Sequence, residues 1–315
     1  MTEPLALAGD ERILITGASG WLGRSLLSTL VPSVAADHLL ALGSRPRTLT
    51  VGDRLIEIVA WEGADVAGFA PTHIVHLAYL TRDRLSELGW SRYVAENVGL
   101  SARIVDLLAL PSVRALVHTS SGAVAGLTES TAQPATVQPY GLLKRIDELL
   151  FADECARRGQ ACVTCRVWSV SGPHVVEPHK YAFSDMILQA LSRSDVTVRS
   201  ANRVYRRYVD AGELMEVALR LGLAGRTAVF DSGGTRIEVG ELARLVLDEV
   251  GTAGRQVKRD PIQNEPVDDY SSDDARFVEL AADTGVAITD IRGQILRTAG
   301  GIGKPSSDGE QEGTS

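Results

Sequence analysis

Short apolar runs alternate with helix-period segments through the first half of the chain. Ile13–Thr16, Leu39–Gly43, Leu55–Ala60, Ile74–Ala78, Ala115–Thr119 and Cys162–Val167 have strand length and predict buried strands. Gly23–Leu30, Ser91–Leu108 and Tyr140–Arg158 repeat apolar residues at three- and four-residue steps and predict helices between some of them. That alternation specifies an α/β fold, a doubly wound parallel sheet, over residues 11–170. After Ser171-Gly172-Pro173 the rhythm becomes irregular, with helices predicted at Phe183–Leu191, Glu213–Leu221 and Gly240–Val250. Residues 171–301 are therefore expected to form a smaller, mostly C-terminal substrate-binding lobe over the cleft, with segments near 203–240 returning to the first domain. Residues 1–10 are expected to be flexible, and 302–315, rich in Gly, Ser and acidic residues, to be disordered. No internal repeat is apparent.

Composition narrows the class. Over 315 residues, 44% hydrophobic and 23% charged is ordinary for a globular protein with a substantial core. A net charge of −8 argues against nucleic acid as the main partner, because binding a phosphate backbone relies on clustered Lys and Arg. The start of the chain lacks a basic region followed by an apolar core, and no apolar run reaches the roughly 18 residues a membrane helix needs, so a cytoplasmic location without membrane partners is expected. Cys155, Cys162 and Cys165 form no disulfide framework. In a strand, Cys162 and Cys165 point to opposite faces, which favours buried thiols over a redox or zinc pair. The histidines show no metal spacing; His76 and His118 lie in predicted strands, and no metal site is expected.

Two motifs carry chemistry. Thr16-Gly17-Ala18-Ser19-Gly20-Trp21-Leu22-Gly23 follows the first predicted strand and opens a helix, so backbone N–H groups and the helix's positive end converge where a pyrophosphate could sit. Gly17 permits the tight turn, Gly20 lets the backbone approach phosphates, and Gly23 lets the helix press on the strand. The spacing differs by one residue from the commoner G-x-G-x-x-G. The second motif is Tyr140-Gly141-Leu142-Leu143-Lys144, which on a helix sets phenol and ammonium one turn apart. Ser120-Ser121 lie at the end of the strand at Ala115–Thr119, the rim where open α/β sheets bind ligands. A free tyrosine ionises near pH 10, so acid/base work near neutrality needs a shift of about three units, or about 4 kcal/mol, which a neighbouring ammonium and an oxidised nicotinamide could jointly supply. Ser121 would then hold the substrate oxygen while Tyr140 exchanges its proton.

In these motifs the chain resembles the extended branch of the short-chain dehydrogenase/reductase superfamily, which comprises nucleotide-sugar epimerases, dehydratases and ketoreductases on a Rossmann-type sheet. The resemblance runs from Arg12 to about Ile302 and includes His76-Leu77-Ala78, Asn97 in Glu96-Asn97-Val98-Gly99, Ser120-Ser121-Gly122-Ala123-Val124, and Arg166 through Gly172-Pro173. It implies Ser121, Tyr140 and Lys144 as catalytic residues, with Tyr140 the acid/base and Lys144 lowering its pKa and binding the nicotinamide ribose. It implies coenzyme contacts from Gly17, Ser19, Gly20, Trp21, Leu22, Gly23, Ser44, Arg45, Leu77, Ala78, Tyr79, Asn97, Tyr140 and Lys144. Arg206, in Arg206-Arg207-Tyr208-Val209-Asp210, aligns with the family arginine that meets the substrate's diphosphate. A nucleoside-diphosphate sugar would also suit the basic cluster Arg203, Arg206 and Arg207, whose other reading is a solvated edge strand.

Departures from the family pattern narrow the reaction. Its 4,6-dehydratases place Asp-Glu directly after the catalytic Ser or Thr, whereas Gly122-Ala123 follow Ser121, and Ala125 replaces the family's Tyr before Gly. At the end of the second strand, Ala41-Leu42-Gly43-Ser44-Arg45-Pro46-Arg47 has no acid to accept the adenosine ribose hydroxyls of NAD. Ser44 and Arg45 suit a 2′-phosphate instead. NADP(H) is thus favoured over NAD(H), and with it net reduction of a sugar keto group. The alternatives are an NAD-dependent epimerase, a reductase of non-sugar carbonyls, and a non-catalytic dinucleotide binder. Ser91–Leu108 and Tyr140–Arg158 could pair two copies into a homodimer or use their apolar faces within the chain.

Overall fold

The central strand is the first. β1 (Ile13–Thr16) is a run of four residues buried on both faces, the pattern of a strand inside a parallel sheet. The computed structural model describes residues 5–127 and 139–303. β1 leads through the glycine turn into α1 (Trp21–Leu30), then β2 (Leu39–Gly43), β3 (Arg47–Val51), β4 (Arg54–Ala60), α2 (Val66–Phe69) and β5 (His73–His76). α3 (Arg84–Leu88), α4 (Trp90–Leu108), β6 (Ala115–Ser121), α5 (Pro139–Arg158), β7 (Ala161–Val167) and β8 (Ser169–Ser171) follow. The second half contains α6 (Ala182–Leu191), β9 (Val196–Val198), β10 (Asn202–Asp210), α7 (Ala211–Leu223), β11 (Ala228–Asp231) and β12 (Thr235–Glu238). It continues with α8 (Val239–Val250), β13 (Val257–Arg259), β14 (Gln263–Tyr270), α9 (Ala275–Asp283) and α10 (Ile291–Ile302).

The large sheet has eight strands in the order β11-β7-β6-β5-β1-β2-β4-β3. Its pairings are parallel except β3–β4. Chain order reverses at β1, which has β2 on one side and β5 on the other, and this switch point opens the crevice at the strands' carboxyl ends. Side chains alternate between faces: Ile13 and Ile15 join Leu26 and Leu30 of α1 and Leu214 and Leu221 of α7. Leu14 joins Ile104 and Leu108 of α4 and Phe151 of α5 on the opposite face. Cys165 belongs to the first layer and Cys162 to the second, both as free thiols.

Three features differ from the sequence expectation. β3 is an antiparallel edge strand whose Leu49 and Val51 are buried while Thr48 and Thr50 face out; Gly52, at φ 63°, turns the chain into β4. Within 203–240 it is β11 that joins the large sheet, with α7 packed on it, whereas β10 and β12 pair with each other in a second sheet. The N-terminal stretch is anchored from Leu5 onward, because Leu5 packs into the core and its carbonyl accepts a 2.7 Å hydrogen bond from Ser33 Oγ. The expected disordered tail lies outside the described residues from 304 on.

The lobe is built on β10, which pairs with β12, β14 and β8. Phe183 and Ile187 of α6, Leu242 and Val246 of α8 and Ile295 of α10 form its core. The pairing of β10 with β14 sets Arg206 opposite Tyr270.

Candidate active site

The glycine turn has the shape a dinucleotide requires. Gly17 adopts φ +70°, and a Cβ there would lie 2.5 Å from the Ala78 nitrogen; one on Gly23 would lie 2.4 Å from the Gly17 carbonyl oxygen. Thr16 Oγ1 accepts from the Leu77 and Ala78 amides at 3.2 Å each, which fastens the segment after β5 against the turn. Gly20 is exposed and caps α1 without a side-chain hydrogen bond, leaving the helix's first amides available to an anion. Ser19, Trp21 and Leu22 flank this opening, and the Trp21 ring meets Tyr181 edge-on at 5.1 Å. Ser44 and Arg45 are exposed at the end of β2. These residues fit a dinucleotide.

β6 ends at Ser121, and α5 begins one residue before Tyr140, so strand end and helix start bring the two hydroxyls together. Ser121 acts on the Tyr140 phenol, pulling its pKa down, and its Oγ accepts from the Ala123 amide at 3.2 Å. One turn along α5, the buried Lys144 donates from Nζ to the Thr119 carbonyl at 2.8 Å and lies 3.5 Å from the centre of the Tyr79 ring. Tyr79 also meets Tyr140 edge-on at 5.8 Å, so one aromatic ring touches both members of the pair. Ser121, Tyr140, Lys144 and Tyr79 therefore converge.

The electrostatics differ from expectation. Tyr140 is raised above the ordinary tyrosine range, first by burial and further by Tyr270 and Tyr181, while Ser121 and Arg82 pull it down. Lys144 is not what sets this phenol in the protein alone; burial dominates, and Lys144 is itself pushed down to about 8 by burial. Asn97 is fully buried, with its Oδ1 accepting from the Leu80 amide at 2.9 Å and its Nδ2 facing the Leu80 carbonyl. It fixes the segment that follows Tyr79 from behind. His76 and His118 are buried and bonded to Thr16 and Thr164.

Arg206 forms a two-pronged pair with Asp268, at 3.1 and 2.9 Å, and lies over the Tyr270 ring at 5.7 Å. Arg207 is tied to Asp274 at 2.7 Å and to the Gly234 and Ser272 carbonyls. Arg203 is exposed and makes no ion pair among the described residues.

Three residues at the site escaped the sequence reading. Tyr270, the last residue of β14, also feels Ser121, which lowers its pKa, and packs on Trp168 at 4.7 Å. Trp168 Nε1 donates to Asp231 at 2.6 Å, and its ring covers Gly122 so closely that a Cβ there would lie 2.4 Å away. Arg82 contributes positive charge toward both phenols. Among the described residues, no group of three or more His, Cys, Asp or Glu is placed to hold a metal, and no helix is long and apolar enough to cross a membrane.

Comparison with known proteins agrees with this geometry. The sequence model of the NAD dependent epimerase/dehydratase family matches residues 13–229. No curated protein sequence matches the chain. Among solved structures, a UDP-N-acetylglucosamine 4-epimerase from Methanobrevibacter ruminantium M1, in complex with UDP-N-acetylmuramic acid, is similar at TM-score 0.73 and 15% identity. That match covers 94% of this chain and 99% of the other. A Thermus thermophilus UDP-glucose 4-epimerase in complex with NAD is similar at TM-score 0.67 and 19% identity over 92% and 98% of the two chains. A double mutant of a dTDP-glucose 4,6-dehydratase from Streptomyces venezuelae, with NAD bound, is similar at TM-score 0.65 and 21% identity over 91% and 95%. At these identities the likeness shows the fold.

Proposed function

The chain belongs to the NAD dependent epimerase/dehydratase family of extended short-chain dehydrogenase/reductases, and on that premise we propose that it reduces a keto group on a nucleotide-linked sugar with NADP(H). The observation that carries this reading is the convergence of Tyr140, Ser121 and Lys144 beside the glycine turn. The bound nicotinamide would supply the hydride. Tyr140 then gives its proton to the carbonyl oxygen, Ser121 holds that oxygen in line, and Lys144 binds the ribose and offsets the charge left on the phenol. Leu77, Ala78 and Tyr79 wall the coenzyme on the β5 side, and Asn97 keeps that wall in place.

Gly122 weighs against 4,6-dehydration. The Trp168 ring occupies the space that an acidic side chain after Ser121 would need. Ser44 and Arg45, with no acid at the end of β2, favour the 2′-phosphate of NADP. Arg45→Ala should weaken NADPH binding about tenfold or more and leave NADH binding unchanged, as read by fluorescence titration; an unaltered preference would defeat the assignment. Steady consumption of NADPH with a 4-keto-sugar nucleotide tests the reaction itself.

The second reading is an epimerase with tightly held NAD, and it is favoured by the NAD found in the similar Thermus epimerase. Copurifying NAD without net turnover would select it. For the substrate, Arg206 is proposed to meet a diphosphate, which it can reach only by leaving Asp268. We also infer a homodimer through α5, whose Leu142, Ile146 and Leu149 lie on one face and are 44%, 45% and 58% exposed.

A further inference from the structure

Helix α5 turns three charges inward, Lys144, Asp147 and Glu148. Lys144 and Asp147, one turn apart, are each 4% exposed. The Lys144 ammonium makes one hydrogen bond, to the neutral Thr119 carbonyl, and otherwise faces the Tyr79 ring. Neither partner carries a full negative charge, and an isolated ammonium in such a place would shed its proton.

Two carboxylates on the same helix could serve. Glu148 is already clamped by Arg145 and by both prongs of Arg166. Asp147 has no arginine or lysine ion pair among the described residues; its Oδ1 accepts a 2.6 Å hydrogen bond from Ser101 Oγ on α4. The other elements packed here add no competing anion. β5 and β6 contribute His76 and His118, and burial, followed by Lys144 and His118, drives His76 well below the usual histidine range. The segment after β5 contributes the Tyr79 phenol, and α5 itself the Tyr140 phenol.

We propose that Asp147, anchored by Ser101, is the positioning residue that keeps Lys144 protonated. The inference rests on the reading of Lys144 as the group that assists Tyr140, and it adds a buried carboxylate one turn along α5 that neither the Tyr-x-x-x-Lys spacing nor the glycine turn contains. Burial pulls the Lys144 ammonium down to about 8, and Asp147 is the largest influence holding it up, ahead of Glu148. Without that carboxylate, burial would pull the Lys144 ammonium further down.

The test is the titration of Lys144 in the coenzyme-free protein by NMR of ε-13C-labelled lysine, with the resonance assigned by its loss in Lys144→Met. Asp147→Asn is expected to move this titration down by about one unit or more, and Asp147→Glu to recover part of the shift. An unchanged titration in Asp147→Asn overturns the proposal. If Asp147→Asn does not fold, the side-chain carboxyl 13C shift of Asp147 in the unaltered protein decides: an ionised carboxylate at about pH 7 is expected, and a protonated one overturns the proposal. Because no substrate or coenzyme is present, the result stands apart from whether the protein reduces a nucleotide sugar. Once a substrate is in hand, the alkaline limb of kcat/KM should move down with the same sign in Asp147→Asn.

Discussion

Tyr140 is the residue on which the proposed chemistry turns, and its surroundings push in two directions. Burial and neighbouring phenols raise its ionisation, while Ser121 and Arg82 lower it. In the coenzyme-free protein it therefore stays a protonated phenol, ready to act as an acid. Tyr140→Phe should leave coenzyme binding intact and lower turnover about 100-fold or more, measured by binding titration alongside steady-state rates. Binding lost together with turnover would place Tyr140 in coenzyme binding instead. Ser121, Tyr140 and Lys144 were legible because a strand end and a helical four-residue step are local features. Tyr270 was not, because it reaches Ser121 only through the pairing of β14 with β10, which no local pattern encodes.

At the scale of single elements, α5 is unusual in what it buries. Lys144, Asp147, Glu148, Phe151 and Cys155 follow one helical face, so the stripe is charged near the catalytic end and apolar at the other. Of this stripe only Lys144 was legible in the sequence; the partners of the buried charges were not. Arg166 on β7 provides the clearest case. Burial works against the Glu148 carboxylate, yet Arg166 and Arg145 hold it down to about 2, far below the ordinary glutamate value. A folded pKa below the unfolded one contributes stability that is present above about pH 4.5 and lost as pH falls toward 2. Glu148→Gln should therefore cost about 3 kcal/mol near pH 7 and progressively less near pH 3, read by urea unfolding at both. The meeting of Gly122 with Trp168 makes a second prediction. Gly122→Ala should destabilise by about 1–3 kcal/mol in thermal or urea unfolding, and combining it with Trp168→Leu should recover part of the loss.

For the molecule as a whole, the run of buried strands and intervening helices led to the parallel sheet and the ligand-binding rim at its strand ends. The sequence reading stopped at β3, a half-exposed edge strand, and at the lobe, where β8, β9 and β13 are only three residues long and depend on distant neighbours. Subunit pairing belongs to the same scale. If α5 forms the joint, Ile146→Glu with Leu149→Glu should convert a dimer to a monomer in sedimentation velocity while leaving the circular dichroism spectrum unchanged. A dimer that survives both changes would move the joint elsewhere.

The edge-on contact of Trp21 with Tyr181 joins the mouth of the nucleotide cradle to the element that leads into α6. An indole at that junction would sense arrivals from either side, so its emission offers a native optical probe. Filling the cradle and filling the lobe, one after the other, should each leave a separate mark on the same fluorescence band.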